Sequence, residues 1–388
     1  MTRLFGKRES LILIPLFIVS HLLIGCFDAS EMGSTNLDKH LTGPKIKLEH
    51  VQSIGDGDSL SVSQLLLFPS RVALSLTSDT LFVADLKSMT IKAFANSGKY
   101  LFEVGSAGQG PNEFLSFQGL AVSSEGELVV VDGRNNRITK FKFGNSPSKV
   151  SFEKPFHGDA ELLVLPDRVI TVNYDWKLDS DQDAILKTYS KDFSVVETSL
   201  ASYSEVVGDT RPEASSYTTY NLGSLAKTSD GFVYAPGLYD GKIFKFGFEE
   251  DGSINNFQII GKKLSSSNLT AVGGDHNSSN SDFLIRTQGK SWGALIHSSD
   301  RGFAVTKNGS IVHFYQVDKN DKRVIIAELF NSSGELMSTT ELLSSENNSS
   351  GVGSVPWIVG GYDAKTEHLY VLVRRPVPKI EKYRMTIE

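Results

Sequence analysis

One short pattern occurs twice in register. LFVADLKSMTIKAF (Leu81 to Phe94) and LVVVDGRNNRITKF (Leu128 to Phe141) align without gaps, and they begin 47 residues apart. Each is an apolar run, an aspartate, a polar turn and an alternating segment ending in phenylalanine. Weaker copies end at Tyr189, Phe246, Phe330 and Tyr383, so successive aromatic anchors stand 47, 48, 57, 84 and 53 residues apart. That period belongs to a four-stranded propeller blade, with one long insertion between the fourth and fifth repeats. Around each anchor, short runs rich in Val, Ile, Phe and Tyr are bounded by NSG, SDG and SSG turns, and no long stretch keeps a helical period.

Within the clearest repeat, GLAVS reads as strand A, LVVVD as strand B and RITKFKF as strand C, while KYLFEVG of the preceding repeat reads as strand D. A lone blade exposes both its faces, and blades packed around an axis hide them. The last strand C, KIEKYRM, has no strand after it. KIKLEHVQS (Lys45 to Ser53) is therefore expected to supply the missing outer strand. The expected fold is all-β: a six-bladed β-propeller of four-stranded antiparallel blades, its ring closed by an N-terminal strand. The Asn/Ser-rich stretch from Ser265 to Ser281, within the long insertion, reads as a surface segment.

The glycine-rich segment GSAGQGPNEF (Gly105 to Phe114) falls between strand D of the first blade and strand A of the second. The chain must return there from rim to axis, and glycine reaches positive φ at little cost. No helix and no Lys-Ser/Thr pair follows, as a phosphate-cradling loop would require. From this loop to Phe141 the residues resemble an NHL repeat: a Gly-rich stretch, Gly-Pro-x-x-Phe, an apolar run, Asp-x-x-Asn-x-Arg, then Phe. The whole chain resembles the six-bladed, TolB-like propeller lipoproteins of Gram-negative bacteria. That resemblance implies an extracytoplasmic propeller and assigns no reaction.

The N-terminus has a different texture. Arg3, Lys7 and Arg8 precede a near-continuous apolar run from Leu11 to Gly25, which ends at Cys26. This is the form of a secretory signal, and it falls short of the roughly 20 residues that span a bilayer. Cys26 is the only cysteine, so no intramolecular disulfide can form. Leu23-Ile24-Gly25-Cys26 resembles a bacterial lipobox, which implies lipidation at Cys26 and a lipid anchor in the bacterial membrane. The expected organisation is a lipoprotein signal peptide over 1–25, a flexible polar tether over 26–44 and the propeller over 45–388. The expected address is the cell envelope, at the periplasmic or surface side of the outer membrane.

Charge and motifs narrow the function. With 39 basic and 45 acidic residues the net charge is -6, which gives nucleic acid no electrostatic footprint. The chain has no HExxH and no G-x-S-x-G, and its eight histidines are scattered. Asp179, Asp181 and Asp183 alternate like calcium ligands, but Ala184 and Ser190 stand where an EF-hand loop needs Gly and Glu. No metal and no cofactor is expected.

Antiparallel blades place the B-to-C and D-to-A connections on one face, and the unusual residues collect there. Trp176 lies in a B-to-C loop, Trp292 and Trp357 precede or start strands A of the fifth and sixth blades, and Arg71, Gln118 and Tyr220 hold comparable strand A entrances. With Arg374 of the RRPVP loop they are the expected ligand-binding residues, since aromatic and guanidinium groups at a channel mouth suit a glycan, a peptide or an envelope protein. The same rings serve equally as packing between blades. Asp132 to Arg137 reads as a hairpin stabiliser rather than a catalytic site. A binding module is the leading expectation. The alternatives are a lactonase-like hydrolase or lyase with an axial metal and, beyond these, a signalling or assembly component of the envelope.

Overall fold

The computed structural model describes residues 43–388 apart from 56–60, 62–63, 144–148, 156–158, 174–183, 195, 203–204, 207–222, 238, 255–256, 262–263, 265–268, 273–282, 288–289, 297, 320–321, 347–356 and 375. The signal-like leader, Cys26 and most of the tether lie outside the described residues, as do the alternating carboxylates at 179–183.

Six four-stranded antiparallel sheets follow one another along the chain, each running from inner strand A to outer strand D. Blade 1 comprises Pro69–Ser75, Thr80–Asp85, Thr90–Ala95 and Tyr100–Val104, and blade 2 comprises Gly119–Val122, Leu128–Asp132, Arg137–Lys142 and Lys149–Pro155. Blade 3 is formed by Asp159–Val164, Arg168–Asn173, Ala184–Ser190 and Val196–Ser202, and blade 4 by Ser224–Lys227, Gly231–Ala235, Lys242–Gly247 and Gln258–Gly261. Blade 5 has the longest strands, Ser298–Val305, Ile311–Lys319, Lys322–Phe330 and Leu336–Glu346. Blade 6 takes Trp357–Asp363, His368–Val373 and Lys379–Ile387 from the C-terminus and its outer strand, Ile46–Ile54, from the N-terminus.

That last pairing closes the ring as the unpaired C-terminal strand requires. Ile46 faces Ile387 and Ile54 faces Ile380 across an antiparallel ladder. His50 Nε2 and Ser53 Oγ both reach the Glu381 carboxylate, at 2.6 and 2.7 Å, so polar groups fix the register alongside the backbone. Lys45 and Glu388 exchange both backbone hydrogen bonds where the chain enters this strand, at the C-to-D end of the blade. The described chain therefore enters the ring at the face opposite the B-to-C turns.

The core is divided among the gaps between blades. Phe82, Ala84, Phe114, Leu128 and Phe141 fill the gap between blades 1 and 2, and Val129, Val131, Val169 and Tyr189 the next. Ile170, Leu186, Phe232 and Phe244 join blades 3 and 4, and Val233, Ile243, Ile311 and Phe330 join blades 4 and 5. Phe314, Leu329, Trp357 and Leu369 lie between blades 5 and 6, while Ile54, Leu81, Phe94, Tyr370 and Ile380 return from blade 6 to blade 1. Every interface thus has an apolar cluster, including the one that closes the circle. The anchors Phe94, Phe141, Phe246 and Phe330 are fully buried, and each ring buried this way stabilises by about 2–3 kcal/mol.

The repeat aspartates join each blade to the loop entering it. The Asp85 carboxylate accepts the amides of Leu67 and Phe68 at 2.6 and 3.1 Å, and also those of Lys87 and Ser88 in its own turn. Asp132 does the same in blade 2, accepting the amides of Leu115 and Ser116 at 3.0 Å together with Asn135 of its turn. These side chains stabilise hairpins as expected and, in addition, fasten the D-to-A connection. The glycine-rich loop is closed by Arg137, which donates to the carbonyls of Gln109, Gly110 and Glu113. Gly105 sits at φ +96°, and a Cβ there would meet the Phe114 ring at 2.4 Å.

One expectation changes. The period places Trp292, after the long insertion, just before or at the start of strand A of blade 5. The described parts of that insertion, Leu269–Val272, Phe283–Thr287 and Lys290–Ile296, instead form a three-stranded sheet, and Trp292 lies in its central strand. Successive residues such as Ser291, Trp292 and Gly293 pair directly with the neighbouring hairpin strand, which the blade period alone cannot reveal.

Candidate ligand-binding site

The inner strands converge where they begin, on the face that carries the B-to-C turns. Four of them carry an extra residue near this end, Gly360 in blade 6 being one. The ladder slips between Pro69 and Arg71, between Ala160 and Leu162, and between Asp300 and Gly302, so Ser70, Glu161 and Arg301 are bulged out of the pairing. A bulge re-aims side chains locally, and Glu161 is held at φ +47°, a left-handed conformation that a non-glycine residue adopts rarely. Gly302 follows the third bulge, where a Cβ would meet Val359 of the next inner strand at 2.7 Å.

Those bulges bring opposite charges together across the axis. Arg71 Nη2 of blade 1 lies 3.0 Å from Glu161 Oε1 of blade 3, both side chains about 30% exposed. Between them stands blade 2, whose Gln118 carbonyl accepts Arg71 Nε at 3.3 Å and the Glu161 amide at 3.4 Å. Burial raises the Glu161 carboxyl above its usual range; the Arg71 guanidinium opposes that shift and the Asp300 charge adds to it.

Arg374 lies beside Arg71, just past strand B of blade 6. Its Nε donates to the Pro69 carbonyl at 3.1 Å, and its Nη2 reaches the Ser70 carbonyl at 3.5 Å, the same carbonyl that accepts Arg71 Nη1 at 3.2 Å. The guanidinium stands 5.6 Å from the centre of the Phe68 ring. Burial, and then the neighbouring Arg71 charge, lower its affinity for a proton. Among the described residues no carboxylate lies within ion-pair distance of Arg374, whereas Arg71 has Glu161. Phe68 is 47% exposed, and its chain neighbour Leu67 and Val377, three residues past Arg374, are 43 and 52% exposed.

Blade 5, the neighbour of blade 6 in the ring, holds a buried charged cluster. His313 Nε2 lies 2.9 Å from Asp300 Oδ1, and Ser224 Oγ of blade 4 donates to the same oxygen at 3.0 Å. His313 Nδ1 stands 3.7 Å from Glu328 Oε2, too far for a hydrogen bond, so this second carboxylate acts through its charge. Tyr239 Oη of blade 4 donates to that Glu328 oxygen at 2.6 Å. Burial alone would lower the His313 pKa, but the Asp300 hydrogen bond and the two carboxylates overcome it and raise the group above its ordinary value. Arg301 completes the set, donating to the Gln316 side chain at 2.7 Å.

Of the expected ligand-binding residues, Arg71, Gln118 and Arg374 come together at the mouth. Trp357 starts strand A of blade 6 as expected, but its ring is buried against Phe314 between blades 5 and 6. Trp292 belongs to the insertion sheet. Trp176 and Tyr220 lie outside the described residues. Tyr239, in the turn after strand B of blade 4, is fully buried. Sequence reasoning missed Glu161, Asp300, His313 and Glu328, although alignment on the anchors carried a signal for one of them. His313 stands two residues after Ile311, the partner of Phe330; the corresponding residues after Leu81, Leu128 and Leu369 are Val83, Val130 and Val371. Blades 3 and 4 place Thr171 and Tyr234 there, so His313 is the one ionisable imidazole among six buried residues at this position.

Among the described residues no group of three or more His, Cys, Asp or Glu side chains is arranged to hold a metal ion. Residues 65–340 match DUF5128, a family described as a 6-bladed beta-propeller, and the chain belongs to that family. No curated protein matches it. Among solved structures it is similar to a Bacteroides fragilis protein described as exported, at 12% identity and a TM-score of 0.53, over 88% of this chain and 95% of the other. A member of the DUF4221 family from Bacteroides vulgatus aligns at 9% identity and a TM-score of 0.50, over 89 and 99% of the two chains. A gluconolactonase from Xanthomonas campestris aligns at 12% identity over 89 and 91%, with a TM-score of 0.46. Likenesses at these identities show the fold alone.

Proposed function

We propose that this chain is an extracytoplasmic, membrane-tethered binding module that holds its ligand at the axial mouth formed by Arg71, Gln118, Glu161 and Arg374. The observation that carries this reading is the convergence of half-exposed guanidinium and carboxylate groups, fixed by backbone bulges, on a face otherwise made of turns. Preorganised polar groups of this kind, beside exposed apolar side chains, recognise ligands with little reordering cost. The signal-like leader and the lipobox-like Leu23 to Cys26 support export and anchoring at Cys26. The Bacteroides fragilis relative, described as exported, supports the same address. Because the described chain enters the ring at the opposite face, the mouth is free to meet a glycan, a peptide or another envelope protein.

A panel of envelope glycans and short peptides tests this reading against the intact protein and Gln118→Trp, which narrows the mouth. Binding lost in that variant supports the mouth, and binding that persists there overturns it. The raised Glu161 carboxyl near Asp300 favours, as a second reading, acid–base chemistry of a hydrolase or lyase. Stoichiometric metal retained on purification, and lost together with lactonase or lyase activity on chelation, would establish that reading instead.

A further inference from the structure

We infer that Arg374 is the anchor of a carboxylate-binding site, and that the carboxylate it takes is the C-terminal one of a peptide ending in an apolar side chain. This deepens the binding reading above and rests on it. Arg71 and Arg374 approach closely enough to share the Ser70 carbonyl, an arrangement that two like charges adopt at a cost unless anions compensate them. Glu161 compensates Arg71, whose other nitrogens donate to Gln118 and Ser70. The adjacent Asp85 carboxylate is occupied by the amides of Leu67, Phe68, Lys87 and Ser88. Arg374 is compensated by neither. Its Nε is spent on Pro69 and its Nη2 makes one long contact, which leaves Nη1 and the outer edge of the fork to receive an anion.

The surroundings select among anions. Phe68 lies beneath the guanidinium and, with Leu67 and Val377, remains exposed, so apolar surface borders the anion position. A phosphate or a sugar acid surrounds its charge with hydroxyl or oxygen groups and gains nothing from that border. A terminal carboxylate carries its side chain one bond away, where Phe68, Leu67 and Val377 can cover it. The Glu161 carboxylate, beyond Arg71 and within reach of the Asp300 charge, disfavours a second negative charge deeper in the mouth.

The test uses the full-length protein and fluorescently labelled short peptides of one sequence, ending in leucine or aspartate, as free acid or as amide. The free acid ending in leucine is expected to bind at least about tenfold tighter than its amide, the scale of one charge-assisted hydrogen-bonded pair. Arg374→Gln should abolish that preference, and Arg374→Lys should restore only part of it, because a single ammonium lacks the fork. The aspartate-ending acid should bind more weakly than the leucine-ending one. Equal binding of acid and amide, or an acid preference untouched by Arg374→Gln, overturns the anchor while leaving mouth binding intact. Stronger competition by galacturonate than by the leucine-ending acid overturns the peptide assignment. Peptide binding insensitive to Gln118→Trp overturns the mouth reading itself and this inference with it.

Discussion

Blades 2 and 5 occupy equivalent places in one ring and solve the same packing problem with different materials. Blade 2 keeps the repeat: Val130 at its buried centre, Asp132 fastening the entering loop, Arg137 closing the glycine-rich turn. Its polar side chains serve backbone groups of loops. Blade 5 has long strands, and at the centre corresponding to Val130 it places His313 between Asp300 and Glu328. Its polar side chains serve one another, beside the axis. Regularity therefore marks what the ring needs, and departure from it marks where charge has been placed for another purpose.

The largest effect is expected from breaking the blade 5 cluster. His313→Val restores the residue type of blades 1, 2 and 6 but strands two buried carboxylates, and should cost about 3–5 kcal/mol in urea unfolding. Combining it with Asp300→Asn and Glu328→Gln removes the stranded charges and should recover most of that loss. A triple variant as unstable as the single one would break the comparison, because it would show that His313 acts by shape rather than charge.

Next in size is the loop fastening of blade 2. Asp132→Ala deprives the Leu115, Ser116 and Asn135 amides of their acceptor and should cost about 2–3 kcal/mol by the same measurement. Arg137→Lys should cost less, about 1–2 kcal/mol, since one ammonium cannot replace a fork reaching the carbonyls of Gln109, Gly110 and Glu113. Neither change should alter binding at the mouth, which distinguishes fastening residues from Arg374.

The smallest effect separates the blades by pH. A histidine whose folded pKa is raised contributes stability that is complete below its unfolded value near 6.5 and is lost as pH rises through the folded value. Stability of the wild-type protein should thus decline above about pH 6.5, with a slope of at most about 1.4 kcal/mol per pH unit, and level off above the folded value. The decline should be absent from the triple variant. Val130 of blade 2 offers no comparable group, so Asp132→Ala should keep the wild-type slope.

Most of the fold was legible because the repeat writes the same instructions several times. Phe94 and Phe141 fix strand C, the aspartates fix the turn after strand B, and the partnerless KIEKYRM demanded Ile46–Ile54 as its outer strand. The site was legible only in part. Arg71 and Gln118 could be placed because they stand at strand A entrances, and Arg374 because it follows a strand B, positions that the period counts off. Glu161 could not, since it reaches the axis through a bulge, and one inserted residue is invisible to a pattern of alternation. The tryptophans misled for a physical reason: a large ring near a channel mouth gains as much from an interblade gap, where Trp357 lies, as from a ligand. The insertion sheet escaped because its strands have no counterpart in the other blades.

The protonation state of His313 is the most direct test of the charged blade. Nitrogen chemical shifts of labelled histidine, assigned by comparison with His313→Val, report it without perturbing the cluster. The account predicts a ring that holds its second proton to a higher pH than an ordinary histidine, titrating above that range. A ring titrating at or below that range would contradict it.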